Sequence, residues 1–313
     1  MSLGLALRRL APQSVKNFLR QNTLPWRISR QISPHLPAVV CVDVGASYYP
    51  HAKWLQFLNA PHTQWLAVEP NEANIDYVKS WPWPSQISAC TTGLSRDGGT
   101  QTLHVTNVDT GSSLLPPEIT PSMQHRITDM GYFFPVTERR IETLTLTQAM
   151  AGLSEVAPAF IKLDTQGTEL SILQGAQQLF DSRRIVGIEM ESTMLAQPLM
   201  RNSGKFWQAS EYLERQGFEL LHIKPIPAVP RSGRTRINRN TYVNECDAVF
   251  ALRQDVVAGL SVEHRTSLLA FYLTNQFYEE ALSFLERDND IRNFLGTRGC
   301  NVDALASTLR VAA

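Results

Sequence analysis

The chain has 313 residues, 43% of them apolar, with 29 basic and 29 acidic side chains and a formal net charge of zero. This is enough for one large α/β domain plus an appendage, and the composition excludes a disordered chain; no run approaches the ~20 apolar residues of a membrane span. The balanced charge gives no global field for nucleic acid, so an electrostatic partner has to be sought locally.

Residues 1–36 place Leu3, Leu7, Leu10, Val15, Phe18 and Leu19 among Arg8, Arg9, Lys16 and Arg20, a pattern for one or two amphipathic helices. They are expected to pack on their own domain or on a twin subunit in a homodimer, rather than on a membrane surface. The apolar run at the N-terminus is too short for a secretory leader, which predicts a cytoplasmic protein. Pro34 and Pro37 punctuate the entry to a buried strand, Val39-Val-Cys-Val-Asp-Val44, with Asp43 at its carboxyl edge and a turn at Gly45. In open parallel sheets that edge, where strand order reverses, is where ligands bind.

A helix is predicted over Ala52–Leu58, then a strand over Gln64–Glu69, Pro70-Asn71, and a helix over Glu72–Lys79. Glu69 ends its strand as Asp43 ends the first, at the place where a carboxylate grips ribose hydroxyls in nucleotide-binding sheets. The absence of G-x-G-x-x-G counts against a nicotinamide oxidoreductase. A third strand over Gln86–Thr91 leads to Thr92-Gly93-Leu94; Thr100–Val105 pairs back after a turn at Asp97-Gly-Gly99. Residues 106–139 read as an irregular insertion covering the substrate, up to a short strand at Arg140–Leu144 and a short helix over Thr145–Ala151.

Another buried strand, Ala159–Leu163, ends in Asp164 and feeds one helix carrying Leu170, Leu173, Ala176 and Leu179. A fifth strand, Arg184–Glu191, ends in two carboxylates, Glu189 and Glu191; Phe206–Gln216 is a helix, and Phe218–Ile223 and Cys246–Leu252 are the last strands. Beyond residue 253 the pattern is helical, with a pair over Leu268–Leu273 and Phe277–Leu285 resembling one tetratricopeptide unit. Three of the four cysteines (Cys41, Cys90, Cys246, Cys300) lie in strand-like runs, as expected of reduced thiols. The domains read as a helical extension over 1–36, an α/β domain over 37–252 and a second helical extension over 253–313.

The motifs Val42-Asp-Val-Gly-Ala46, Val68-Glu-Pro-Asn71, Gly111-Ser-Ser-Leu-Leu115, Ile161-Lys-Leu-Asp-Thr-Gln-Gly-Thr-Glu-Leu170, Leu173-Gln-Gly-Ala176, Glu189-Met-Glu191 and Cys246-Asp-Ala-Val-Phe250 resemble the FkbM family of S-adenosylmethionine-dependent methyltransferases. The resemblance implies the class I methyltransferase (Rossmann-like) fold: seven strands, mostly parallel, with helices on both faces and the last strand antiparallel. It also implies O-methylation of sugar, glycan or polyketide-like hydroxyls. On it, Asp43, Gly45, Ala46, Ser47 and Tyr49 border the methionine end of the cofactor. Glu69 holds the ribose, with Pro70 and Asn71 beside it at the cofactor, Thr92, Gly93 and Leu94 touch the adenine, and Asp164 faces the methyl donor. Ser47 and Tyr49 depart from the family's Asn and Gly, which leaves a binding or scaffold protein as the alternative.

Methyl transfer asks the protein to align donor and acceptor and to ease loss of the hydroxyl proton. Asp164, Glu189 and Glu191 are the candidate bases, with Asp164 and Glu189 taken as catalytic; a pair drawn from the three also suits Mg²⁺, although no metal-ligand motif is read. Between the last two strands, Arg231, Arg234, Arg236 and Arg239 sit in a proline-rich stretch without acidic residues. Such a cluster is expected to bind an anionic acceptor through planar guanidinium forks.

Overall fold

The computed structural model describes residues 23–47, 51, 53–54, 62–71, 74, 76, 87–118, 133–227 and 243–313. Its contacts fall into two units. One comprises the described residues of Ala38–Ala52 and Gln64–Leu260, and the other those of Met1–Pro37, Lys53–Thr63 and Ser261–Ala313.

The larger unit is built on seven strands: β1 (Val39–Val44), β2 (Thr63–Val68), β3 (Ile87–Cys90), β7 (Ala159–Leu163), β8 (Ile185–Thr193), β9 (Phe218–Pro227) and β10 (Val243–Leu252). They lie in the order β3-β2-β1-β7-β8-β10-β9. β1 runs parallel to β7, β7 to β8 and β2 to β3, while β10 is antiparallel to both β8 and β9. This is the class I methyltransferase sheet. Every residue of β1 is buried, as a central parallel strand requires, which is why its sequence is an unbroken apolar run apart from Asp43. The chain leaves β1 toward β2 and β3, then returns to β7 on the other side, so strand order reverses between β1 and β7.

A second sheet interrupts this path. β4 (Gly93–Leu94), β5 (Gly99–Thr106) and β6 (Pro135–Leu144) pair in the order β4-β6-β5, with β5 and β6 antiparallel. The insertion read as irregular is therefore partly a hairpin, and β6 begins five residues before the predicted Arg140. Its exposed charged residues hide the alternation that marks a half-buried strand; pairing with β5 supplies the order instead. The part of that insertion over Pro121–Met130 lies outside the described residues, as do most of the helices expected over Ala52–Leu58 and Glu72–Lys79.

After β6 come α1 (Leu146–Ala149), α2 (Glu169–Gln174), α3 (Gln177–Asp181), α4 (Phe206–Arg215) and α5 (Gln254–Val257). The single helix expected after Asp164 is two short ones, because the chain turns at Gly175, where an added Cβ would lie 2.2 Å from the Arg96 carbonyl oxygen. All four cysteines are free thiols, buried except for the half-buried Cys90.

The smaller unit is helical: α6 (Leu24–Ile32), then α7 (Val262–Thr274), α8 (Tyr278–Arg287), α9 (Asn289–Thr297) and α10 (Val302–Ala312). The described N-terminal helix α6 packs on α7 and α10, burying Ile28 and Ile32. α7 is buried along most of its length, from Thr266 to Thr274. Among the described residues no helix is long and apolar enough to cross a membrane.

Candidate active site

The carboxyl ends of β1, β2 and β7 open onto a cavity of about 690 Å³. That is the size of a pocket that takes a cofactor or drug-sized ligand. Gly45 forms its floor with φ +76°, and an added Cβ would stand 2.0 Å from the Asp164 carbonyl oxygen. The turn can pass between β2 and β7 only because nothing projects from it. It is tied on both sides: Gly45 N–H and Ala46 N–H donate to Val68 O at 2.9 and 3.2 Å, and Asp164 N–H donates to Val44 O at 3.1 Å.

Of the residues expected at the cofactor, Gly45, Ser47, Glu69, Pro70, Asn71, Gly93, Leu94 and Asp164 are all in the cavity wall. Asp43, Ala46 and Thr92 are not. The Asp43 carboxylate is buried behind the turn, where Oδ2 accepts from His51 N–H at 2.9 Å and Oδ1 pairs with Lys162 Nζ at 3.4 Å. Thr92 turns to the Cys90 thiol, with Oγ1 3.0 Å from Sγ. Tyr49 and the arginines 231, 234, 236 and 239 lie outside the described residues.

Glu69 is 9% exposed, and its Oε1 accepts from Asn71 N–H at 2.9 Å, which aims the carboxylate across the end of β2. Ser47 Oγ is buried with no hydrogen-bond partner among the described residues, an orphan that a polar ligand group would satisfy. The second sheet supplies the opposite wall with Leu103, Val105, Arg139 and Ile141. Arg139 is the one cation among the described lining residues. Nothing in the local sequence marked it, because it belongs to a strand read as loop.

Three carboxylates were candidates for the base, and the fold separates them. Asp164 reaches the cavity, its side chain 39% exposed, with Lys162 Nζ 3.5 Å from Oδ2 and Gln166 Nε2 donating to Oδ1 at 3.1 Å. Glu189 is 6% exposed, absent from the cavity wall, and held by His51 Nε2 at 3.0 Å from its Oε2. Glu191 faces a second, small cavity of about 20 Å³, room for a single water, with Glu169 and Glu245. Gln166 Nε2 also donates to Glu191 Oε1 at 3.0 Å and so bridges the two sites.

The small cavity is electrostatically crowded. Burial, then the charges of Asp164, Glu245, Glu169 and Asp247, push the Glu191 carboxyl well up. Burial, followed by Glu169, Asp164 and Asp247, raises Glu245 to about 7. Glu169 is raised by burial against the pull of its hydrogen bonds: its Oε1 accepts from Thr165 N–H, Thr165 Oγ1 and Gly167 N–H at 2.7, 2.9 and 3.1 Å. It thereby fixes the loop that carries Asp164. Among the described residues no group of three or more His, Cys, Asp or Glu side chains is arranged to hold a metal ion.

Lys162 is a cation inside an otherwise apolar buried strand, which is a signal in itself. It lies under the turn, within reach of both Asp43 and Asp164.

A model of the Methyltransferase FkbM domain matches residues 43–220, more than half of the chain. The chain belongs to the FkbM methyltransferase domain family. The match takes in the turn at Gly45, the β4-β6-β5 sheet, the Asp164 loop and β8, and ends within β9, ahead of β10. Among solved structures the chain is similar to a putative S-adenosylmethionine-dependent methyltransferase from Listeria monocytogenes, at 8% identity and TM-score 0.35, covering 74% of this chain and 99% of that one. It is also similar to precorrin-6y C5,15-methyltransferase from Geobacter metallireducens GS-15, at 11% identity and TM-score 0.31, covering 74% and 87%. A search of curated proteins found no match.

Proposed function

We propose that this FkbM-family protein transfers a methyl group from S-adenosylmethionine to a hydroxyl of a sugar, glycan or polyketide-like acceptor. The observation that carries the reading is the cavity at the strand-order reversal, which joins the Gly45 turn, the Glu69 carboxylate and Asp164. The residues fit the cofactor: Glu69 can accept from two ribose hydroxyls, and Gly93, Leu94 and Ile141 offer an apolar surface to a flat base. Ser47 Oγ can satisfy a polar group, and the Asp164 carboxylate complements a sulfonium.

S-adenosylmethionine bound there supplies an electrophilic methyl group. The chain's part is to orient and to take up a proton. Asp164 is the base we assign, since it reaches the cavity while Lys162 and Gln166 fix its two oxygens. Glu189, engaged with His51, is assigned to holding the segment after β1 rather than to proton transfer. The arginines 231, 234, 236 and 239 remain our candidates for an anionic acceptor.

Titration calorimetry with S-adenosylmethionine and with NADH is the test. Binding of the first and not the second supports the reading; NADH binding overturns it. Methyl transfer to a panel of sugars and glycans then separates an enzyme from a binding protein. Asp164→Asn should abolish most transfer while S-adenosylhomocysteine still binds.

A further inference from the structure

Lys162 holds together more of this site than any residue in the cavity wall. Strand register sets Asp43 beside it on β1 and Glu189 beside it on β8, so three ionisable side chains stand abreast on adjacent strands. Its Nζ lies 3.4 Å from Asp43 Oδ1 and 3.5 Å from Asp164 Oδ2, and it donates to Gly45 O at 3.1 Å and Val44 O at 3.4 Å. These four oxygens come from the two strands that flank the reversal point. The side chain is 16% exposed, and Asp43 is 2% exposed.

We infer that Lys162 is the positioning residue of the donor site: one buried ammonium gathers the β1 turn and the Asp164 carboxylate and so sets both walls of the crevice. A buried charge is retained only where oxygens replace its water, and here two carbonyls and two carboxylates do so. Burial alone would lower the lysine's pKa. The charges of Asp43 and Asp164 and hydrogen bonds to both outweigh burial and hold it above its ordinary value, so it stays a cation and does not serve as a base. Other titratable groups face the same row. Glu189 is tied to His51, whose backbone N–H also binds Asp43. The Cys41 thiol is pushed up by burial and then by the charges of Asp43 and Glu189, and stays neutral.

The inference rests on the proposed cofactor, and the experiment separates the two. S-adenosylhomocysteine is titrated into the parent, Lys162→Met and Lys162→Arg, with far-ultraviolet circular dichroism to confirm folding. If the parent fails to bind, the cofactor reading falls. If it binds, Lys162→Met is expected to bind at least about tenfold more weakly, the loss of hydrogen bonds to a charged group. Lys162→Arg keeps the charge and should recover most of that loss. Should Lys162→Met not fold, Asp43→Asn/Lys162→Met removes the pair together and is expected to bind at least about tenfold more weakly than the parent. Parent-like affinity in the Met or the double variant, or a folded Arg variant that binds no more tightly than Met, overturns the inference.

Discussion

Replacing Gly45 with Ala places one methyl group where the fold has no room for it. The added Cβ would lie 2.0 Å from the Asp164 carbonyl oxygen and 3.0 Å from its carbon, both backbone atoms, so no side-chain rotation relieves the contact. At φ +76° an L-residue also carries about 1–2 kcal/mol of left-handed strain. Separation to an ordinary contact requires more than 1 Å of movement between β1 and β7. That movement breaks the bond from Asp164 N–H to Val44 O or the one from Gly45 N–H to Val68 O. Each is worth about 0.5–1.5 kcal/mol net, so the total loss comes to about 1.5–3.5 kcal/mol, a large share of the roughly 5–15 kcal/mol of a folded domain. Urea unfolding followed by circular dichroism measures it as a lower midpoint at unchanged slope. Gly152→Ala is the control, because an added Cβ there meets nothing within 4 Å, and it should fall within about 0.5 kcal/mol of the parent. A Gly45→Ala midpoint equal to the parent's would refute the close approach of turn and loop.

Other substitutions test separate parts of the protein. Glu69→Ala should weaken S-adenosylmethionine binding by about 1.5–3 kcal/mol in calorimetry, the value of hydrogen bonds to a charged group, and unchanged affinity would misplace the ribose. Glu245 has a folded pKa of about 7 against an ordinary 4.5, so the folded protein holds a proton that the unfolded chain releases between those values. Its stabilising share is complete below about pH 4.5 and lost as the pH rises through about 7; melting temperature should therefore fall from about pH 5 to pH 8, less steeply in Glu245→Gln. In the helical unit, Asp288 Oδ1 caps α9 by accepting from Asp290 N–H and Ile291 N–H at 3.0 and 3.1 Å, while Oδ2 binds Arg265 Nη1 at 2.6 Å. Asp288→Ala should cost about 2–4 kcal/mol in urea unfolding, since it removes the cap and strips a partner from the mostly buried Arg265.

What the sequence discloses and what it hides follow from burial. β1, β7 and β8 were legible because their residues are almost wholly buried, leaving apolar runs broken toward the carboxyl ends by Asp43, by Lys162, and by Glu189 and Glu191 ahead of Ser192 and Thr193. β9 was read only to Ile223 but continues through Lys224-Pro-Ile-Pro227. As the edge strand it pairs on one side only, with β10, so its prolines sacrifice no donor that a second neighbour needs. β6 was largely invisible: charged and exposed, it owes its order to a partner some thirty-five residues earlier. With it went Arg139, the one cation among the described residues of the cavity wall.

Lys162 shows a different limit. Its chemical type was plain in the run Phe160-Ile-Lys-Leu-Asp164, but its meaning depends on which strands flank it. Beside another apolar strand it would be an error of folding; between Asp43 and Glu189 it is the charge that the acids need. The acids alone leave four carboxylates (Asp43, Asp164, Glu189 and Glu191) gathered at the ends of three adjacent strands. At such separations like charges in a poorly solvated crevice repel strongly, and the sheet tolerates them by division. Lys162 serves Asp43 and Asp164, His51 serves Glu189, and Glu191 is left to share the small cavity with a raised pKa. That division is also what distinguishes their chemistry. Asp164 combines an opening to the large cavity with Lys162 and Gln166 on its two oxygens, and that placement is what the proposed proton transfer asks of it.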